Sequence, residues 1–442
     1  MRKRPSWVVL VLALALLVPA SAQAQQGCGG SALNLGGGCS GLSLGNSHRW
    51  SGIRINWQDR DVERVSGINI TLWKPPKEED EVTGDFEGIN LGLAPAGDRI
   101  AGLNVGVAAV VARHDLSGLS VSPIALVSNG PASGVNVAGL AVVSNASMRW
   151  LNVAGLATVA NADMEGINIS GLATVANDGM RGLNLSGLAT VSNGAMRGIN
   201  ISGLATVANG GMRGINLAGF ATVSDRELDG INLAGLATVG NGGMRGINVS
   251  GFATVSDGAM SGINLAGLAT VGNGGLKGIN VAGLATVTNG DAGWINVGGL
   301  ATVANGWLHG LNASGLAVVG NGEVRGLNLA GLAVVSGERI TGFSATAGAV
   351  EAGHEIRGFS AGAYRVKAPR IHGIALSVLH LEAEEMRGFS TGGYNHAGMR
   401  AGVAIGAYNS THELHGLEIG LLNRADNNKA PFRYVPVINV HH

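Results

Sequence analysis

The sequence predicts an all-β protein, a parallel β-solenoid built from coils of about 16 residues. Three observations carry this prediction: one segment recurs without insertion along the middle of the chain, its apolar residues alternate with polar ones, and asparagine holds one place in every copy. An antiparallel outer-membrane β-barrel is the alternative, because it too would be built from repeated, alternating strands.

The first residues, 1–24, have the features of a signal peptide. Basic residues at positions 2–4 precede an apolar run, and residues 20–24 read ASAQA, which supplies the small residues of a cleavage motif. The apolar run is too short to span a bilayer as a helix. We therefore expect cleavage near Ala24 and export of the remaining chain.

Residues 25–133 are predicted to form an N-terminal cap followed by irregular repeats. Cys28 and Cys39 are the two cysteines of the chain, and in an oxidising compartment they could close a disulfide. The segment 73–87, WKPPKEEDEVTGDFE, combines paired prolines with a run of acids. Such a composition is typical of an exposed loop.

Residues 134–341 form the regular array. We number the places of each repeat from its leading glycine, so that Gly198 holds place 1 and Arg213 holds place 16. Asparagine holds place 3 in every copy, and in parallel, in-register stacking each side-chain amide can bond the amides above and below. The predicted structural ladder comprises Asn136, Asn152, Asn168, Asn184, Asn200, Asn216, Asn232, Asn248, Asn264, Asn280, Asn296, Asn312 and Asn328.

The apolar residues favour a solenoid over a barrel. They hold places 2, 4, 7, 10 and 15, and we expect all five to be buried in each coil. Barrel strands alternate strictly between two faces, whereas here steps of three, as from Ile201 to Leu204, indicate corners. The low aromatic content, 4%, also argues against the aromatic girdles of membrane barrels.

Threonine holds place 9 from Thr158 to Thr302. Flat threonine files on some solenoids bind ice, which makes ice binding a hypothesis for this column. Those surfaces usually need two parallel threonine files, however, and the neighbouring outward column is predicted to be asparagine. We therefore do not favour ice binding.

Residues 342–442 are predicted to form shorter repeats of 14–16 residues and a C-terminal cap. Two of these repeats read GVAIGAYN (402–409) and GLEIGLLN (416–423). This pattern resembles the short glycine-led β repeats of bacterial surface-repeat proteins. The resemblance implies an exported protein associated with the cell envelope, and it implies no chemistry.

The sequence offers little support for catalysis. Net charge is zero, which gives no electrostatic reason to expect nucleic acid as a partner. None of the eleven histidines has a recognised ligand spacing, and the densest polar cluster is HLEAEE at 380–385. We therefore predict no catalytic residues, no metal site and no cofactor.

We interpret the chain as an exported structural or adhesive surface repeat protein, not an enzyme, that presents stacked asparagine and threonine ladders. Its partner would be an unidentified surface or envelope component, or further copies of itself. It would reside at the cell surface or outer membrane of a bacterium, or be secreted. In the alternative interpretation, an integral outer-membrane β-barrel, it would be a pore or envelope protein, and only then would a membrane be a partner.

Overall fold

The computed structural model describes residues 27–74 and 83–441. The predicted signal peptide and the central part of the charged segment 73–87 lie outside the described residues. The chain divides into two compact units, Met1–Gly171 and Leu172–His442. This division falls inside the predicted regular array, and the domain boundaries at 133/134 and 341/342 stay predictions.

Every regular element in the described part of the chain is a β-strand. The strands of the first unit are β1 Gly30–Gly37, β2 Ser40–Ser47, β3 Arg49–Asn56, β4 Arg64–Thr71, β5 Asp85–Gly92, β6 Ala96–Gly106, β7 Ala109–Ser122, β8 Ala125–Ser128, β9 Ala132–Ala138, β10 Ala141–Ser144, β11 Met148–Ala154, β12 Ala157–Ala160 and β13 Met164–Ser170. Strand β5 begins inside segment 73–87, so only part of that segment can be the predicted loop.

The second unit continues the same alternation of long and short strands. Its strands are β14 Ala173–Ala176, β15 Met180–Ser186, β16 Ala189–Ser192, β17 Met196–Ser202, β18 Ala205–Ala208, β19 Met212–Ala218, β20 Ala221–Ser224, β21 Leu228–Ala234, β22 Ala237–Gly240, β23 Met244–Ser250, β24 Ala253–Ser256, β25 Met260–Ala266, β26 Ala269–Gly272, β27 Leu276–Ala282, β28 Ala285–Thr288, β29 Ala292–Gly298, β30 Ala301–Ala304, β31 Leu308–Ser314, β32 Ala317–Gly320, β33 Val324–Ala330, β34 Ala333–Ser336, β35 Arg339–Thr346, β36 Ala349–Ala352, β37 Glu355–Gly362, β38 Arg365–Lys367, β39 Arg370–Ser377, β40 His380–Ala425 and β41 Tyr434–His441. Among the described residues, no helix is long and apolar enough to cross a lipid bilayer.

Each coil of the regular array contains one long and one short strand. The long strand covers places 15 to 5, the short strand covers places 8 to 11, and each pairs in parallel with its equivalent in the next coil. Asn200 thus lies beside both Asn184 and Asn216. The predicted parallel β-solenoid is confirmed, and the antiparallel barrel alternative is wrong because successive coils run in the same direction.

Glycine makes the corner between the two strands possible. A Cβ atom added at Gly203, which holds place 6, would overlap the backbone carbonyl oxygen of Gly187 in the preceding coil. The place-1 glycines have a second constraint, since Gly198 has a φ of 114°, which L residues rarely adopt. Trp150 and Trp294 nevertheless hold place 1, each with a φ of 81°.

The interior of the coil is narrow and partly polar. Long-strand places 15, 3 and 5 and short-strand places 9 and 11 face inward; in one coil these are Met196, Asn200, Ser202, Thr206 and Ala208, all buried. Because successive residues of a strand point to opposite faces, places 2, 4 and 10 face outward. The expectation of five buried apolar places per coil was wrong: only place 15 is buried.

Both ends of the described chain have antiparallel strands. At the N-terminal end β1 pairs with β2, and Cys28 and Cys39 are joined by a disulfide with Cα atoms 5.5 Å apart. At the C-terminal end β41 pairs with β40. A terminal antiparallel strand ends the parallel stacking, which is the role of a cap in a repeat array.

Candidate functional surface

The predicted asparagine column forms a buried ladder of hydrogen bonds. In the first unit, Asn136 donates to Asn152, and Asn152 donates to Asn168, with N–O distances of 2.9 Å. In the second unit the ladder runs from Asn184 to Asn328 at 2.7–2.9 Å, and every rung is fully buried. The structure therefore brings the predicted residues into contact along each unit.

Asparagine suits this position because its carboxamide is both donor and acceptor. A column of identical side chains can therefore satisfy itself rung by rung, and burying an amide without a partner would otherwise be costly. The last rung, Asn328, donates to the hydroxyl of Ser344 at 3.2 Å. At the first rung, the Oδ1 atom of Asn136 has no hydrogen-bond partner.

The threonine column also faces the interior. Thr206 shares a hydrogen bond of 2.6 Å with Ser202 of its own coil, and Thr286 donates to the carbonyl oxygen of Val297 in the next coil at 2.9 Å. The expected surface presentation of asparagine and threonine ladders was therefore wrong. The same burial removes the premise of the ice-binding hypothesis, because the place-9 threonines lie inside the coil and cannot meet an ice surface.

A second, exposed ladder lies at the turn that follows each short strand. Place 12 holds asparagine or aspartate from Asn145 to Asn321, and Asn209 donates to Asn193 at 3.2 Å while Asn305 donates to Asn289 at 2.8 Å. Next to glycine, such residues indicate only a turn, so the sequence did not predict this ladder. Their spacing of sixteen residues was the signal that could have identified it.

The outer apolar surface is the main feature that the sequence did not predict. Place 7, at the glycine corner, carries a large side chain that is 38–60% exposed in every coil of the second unit up to Leu332, and the next coil holds Gly348 there. This place-7 column consists of Leu172, Leu188, Leu204, Phe220, Leu236, Phe252, Leu268, Leu284, Leu300, Leu316 and Leu332. Outward isoleucine, leucine and valine side chains at places 2, 4 and 10 flank it. Apolar surface of this extent usually marks an interaction site.

The charged side chains of the regular coils lie at places 12 to 16, in the turn and at the start of the long strand. Place 16 varies between basic and acidic residues, and Arg245 bonds Glu227 at 2.9 Å while Arg213 lies 3.8 Å from the same carboxylate. These groups are well exposed, so each pair contributes little to stability. The edge formed by places 12 and 16 is thus polar, and the surface from place 2 to place 10 is apolar.

The coils near the C-terminal end contain a buried ion pair. The guanidinium of Arg400 donates to Ser390 at 2.6 Å and to Thr411 at 3.1 Å, and it lies 3.4 Å from the carboxylate of Glu418. Burial lowers the pKa of Arg400 to about 10, although Glu418 partly opposes that shift. Burial also raises the pKa of Glu418, against the opposing effects of Thr411 and Arg400.

The histidines of the C-terminal coils come close to one another without forming a metal centre. The rings of His396 and His412 lie 5.8 Å apart, and His412 bonds Asp426 at 2.8 Å. Burial, and next the proximity of His412, lower the pKa of His396. Across residues 27–74 and 83–441, no group of three or more His, Cys, Asp or Glu side chains could hold a metal ion.

No protein-family profile, curated protein or solved structure matches the chain. The fold and the surface described above therefore carry the functional argument, and the resemblance to bacterial surface-repeat proteins stays a prediction.

Proposed function

We propose that the chain is exported and serves as a structural or adhesive element of a bacterial envelope or surface, without catalysing a reaction. Its architecture is that of a structural repeat protein: stacked parallel coils joined through buried asparagine ladders. The place-7 column is the single observation that supports this role most strongly. Eleven half-exposed leucines and phenylalanines in consecutive coils provide a long apolar edge for contact with another surface.

This proposal revises which groups make the contact. Buried asparagine and threonine ladders cannot reach a partner, so they hold the coils in register instead. The apolar columns at places 2, 4 and 7 do the binding. In Leu204 and its equivalents, the side chain is displayed at a corner whose backbone is fixed by the preceding glycine.

Export is tested by fractionation of a Gram-negative host that produces the full chain with a C-terminal tag. We expect the chain outside the cytoplasm, with a new N-terminus near residue 25. Leu14→Arg places a charge in the apolar run and should retain the uncleaved chain in the cytoplasm. The matched control Leu33→Arg, beyond the cleavage point, should be exported; equal retention of both variants would overturn the proposal.

Adhesion is tested by adsorption of the purified chain to an alkyl-coated sensor. The triple variant Leu204→Lys, Leu236→Lys and Leu268→Lys should adsorb much more weakly than the unchanged chain. The matched control, Asp229→Lys with Ser261→Lys, makes the same change in net charge at place 16 and should adsorb like the unchanged chain. Equal adsorption of the triple variant and the control would show that the place-7 column is not the adhesive surface.

A further inference from the structure

The short strands of the second unit form an outward sheet face of constant composition. Each strand presents an alanine at place 8 and a valine at place 10, and both are half-buried, with the intervening residue facing the core. The eleven short strands from β14 to β34 all show this pattern. We call this surface the Ala/Val face.

The constancy of the Ala/Val face needs an explanation, because nothing in the interior requires it. Outward places on the long strands are less constant: place 16 changes from Arg213 to Asp229 to Ser261, place 2 holds isoleucine or leucine, and place 4 holds isoleucine, leucine, valine or alanine. A solvated outward place on a short strand would tolerate Thr, Lys or Ser equally well. Invariance at both outward places of the short strand is what a covered face would require.

The Ala/Val face also has a defined end. In the coil after β34, the place equivalent to valine holds Glu351, which bonds Arg365 at 2.9 Å. The next coil carries Lys367, which bonds Glu382 at 3.0 Å. Charged, internally paired side chains thus replace the apolar ones beyond β34, as expected where a contact surface stops.

We propose that a second copy of this chain covers the Ala/Val face, forming a parallel, two-fold symmetric dimer. A two-fold axis along the stacking direction places the valine column of each copy over the alanine column of the other. The larger valine side chains of each copy then fill the space above the smaller alanine side chains of the other, as in a steric zipper between identical sheets. An antiparallel pair would instead set valine against valine and alanine against alanine, leaving the faces poorly packed.

The size of the Ala/Val face fits this assignment. Eleven coils spaced about 4.8 Å apart, each about 13 Å wide, present roughly 700 Å² per copy. A standard stable interface takes about 800 Å² from each partner. The alanine column also favours the sheet of a second copy over lipid as the occupant. Small side chains permit two sheets to approach closely, but they provide little apolar volume that could insert into a bilayer. This inference goes beyond the proposed function and does not depend on export.

The mass of the full chain in solution tests the proposal. Sedimentation equilibrium should give twice the chain mass without lipid or detergent. Val239→Lys with Val255→Lys would bury charges in adjacent coils and should weaken the dimer at least about 100-fold. The control Asp229→Lys with Ser261→Lys, on the long-strand side, should remain dimeric. A chain that is monomeric at all concentrations, or equal weakening by both variants, would overturn the proposal.

Cysteine cross-linking tests the orientation and remains informative if the lysine variant fails to fold. In the parallel dimer, a residue faces its own coil in the partner, so Val191→Cys and Val319→Cys should each cross-link to themselves through a short bifunctional reagent. Arg197→Cys and Arg325→Cys, on the other strand, should not. Self-linking confined to the middle of the face, as at Val255→Cys, would indicate an antiparallel pair and contradict the proposal.

Vesicle flotation addresses lipid as the competing occupant. In the dimer the Ala/Val face is covered and should not bind neutral phosphatidylcholine vesicles. Val239→Lys with Val255→Lys should therefore leave the fraction of the chain that floats with the vesicles unchanged. Two results together would assign the face to a membrane and overturn the dimer. The unchanged chain would sediment as a monomer without vesicles, and its flotation with vesicles would be lost in the variant.

Discussion

The regular coils and the last coils of the second unit pair their buried polar side chains in different ways. In the regular coils, place 3 holds an asparagine that bonds its equivalents above and below. From Gly388 onward, place 3 holds Ser390, Ala404 and Glu418, and a separate ladder of asparagines lies at place 8, with Asn395 donating to Asn409 at 2.7 Å. The last coils thus combine a separate ladder with a buried ion pair.

The comparison shows why an asparagine can be repeated in coil after coil whereas a buried ion pair stands alone in the last coils. A neutral carboxamide donates to one neighbour and accepts from the other, so the column can be extended without limit. An ionised side chain stacked on an identical one about 4.8 Å away would be repelled inside a medium of low dielectric constant. Arg400 and Glu418 therefore form a single pair near the C-terminal end.

The largest expected effect comes from breaking this pair. Arg400→Met leaves the carboxylate of Glu418 buried without its cation, which should cost about 3–5 kcal/mol of stability. Replacing both partners, Arg400→Met with Glu418→Leu, removes the uncompensated charge and should restore most of the lost stability. Urea denaturation with amide exchange of residues 388–423 measures both; a double variant no more stable than the single one would contradict the ion-pair account.

A charge placed in the regular ladder should have the next largest effect. Asn248→Asp loses a donor and buries a carboxylate between Asn232 and Asn264, at a cost of about 2–3 kcal/mol in local stability. The matched control is Asn305→Asp in the exposed ladder, because its neighbours Asn289 and Asn321 are also asparagines. Amide hydrogen exchange of the neighbouring coils measures the difference, and similar protection in both variants would refute the role of the buried ladder.

A glycine restored to place 1 should stabilise the regular coils. Trp294 holds a φ of 81° and its side chain is 73% exposed, so Trp294→Gly relieves backbone strain and loses little packing. We expect a gain of about 1 kcal/mol, seen as a higher midpoint in thermal unfolding. Trp307→Gly, at a position without positive φ, should give no gain; stabilisation by both would point to a cause other than strain.

The smallest effect concerns pH. Because burial raises the pKa of Glu418 above its ordinary value of 4.5, the folded coils bind its proton more tightly than the unfolded chain does. The contribution of Glu418 to stability should therefore be fully present below pH 4.5 and be lost as pH rises through its folded-state pKa, whereas Asp426, whose pKa is lowered, contributes with the opposite sign. Glu418→Gln should lack this decline. A decline of the same size in the variant would assign the pH dependence to other groups.

The sequence predicted the coil but not which side of it faces inward. Alternation in Ile-Asn-Ile places asparagine on one face and both isoleucines on the other, and the apolar face is normally the buried one. Here the reverse holds: Asn200 is fully buried and Ile199 is 40% exposed. The signal for this inversion was the asparagine column itself, because a self-satisfying ladder is most valuable where water cannot reach it.

Other features followed more directly from local chemistry. Glycine recurs at place 6 because a Cβ atom there, as at Gly203, would overlap the preceding coil. The exposed ladder at place 12 was not predicted, because Asn209 before Gly210 is equally typical of an ordinary turn. The Arg400–Glu418 pair was not predicted either, because the two residues come together only when 14-residue coils stack.

Side-chain amide exchange of the asparagines tests the central claim, that one ladder is buried and holds the coils in register. In the chain labelled selectively with ¹⁵N-asparagine, NMR distinguishes the buried rungs, such as Asn216, from exposed ones, such as Asn209. We predict that the side-chain NH₂ protons of the buried ladder exchange many times more slowly than those of the exposed ladder. Equal, rapid exchange in both sets would show that the place-3 asparagines face water and would contradict the account.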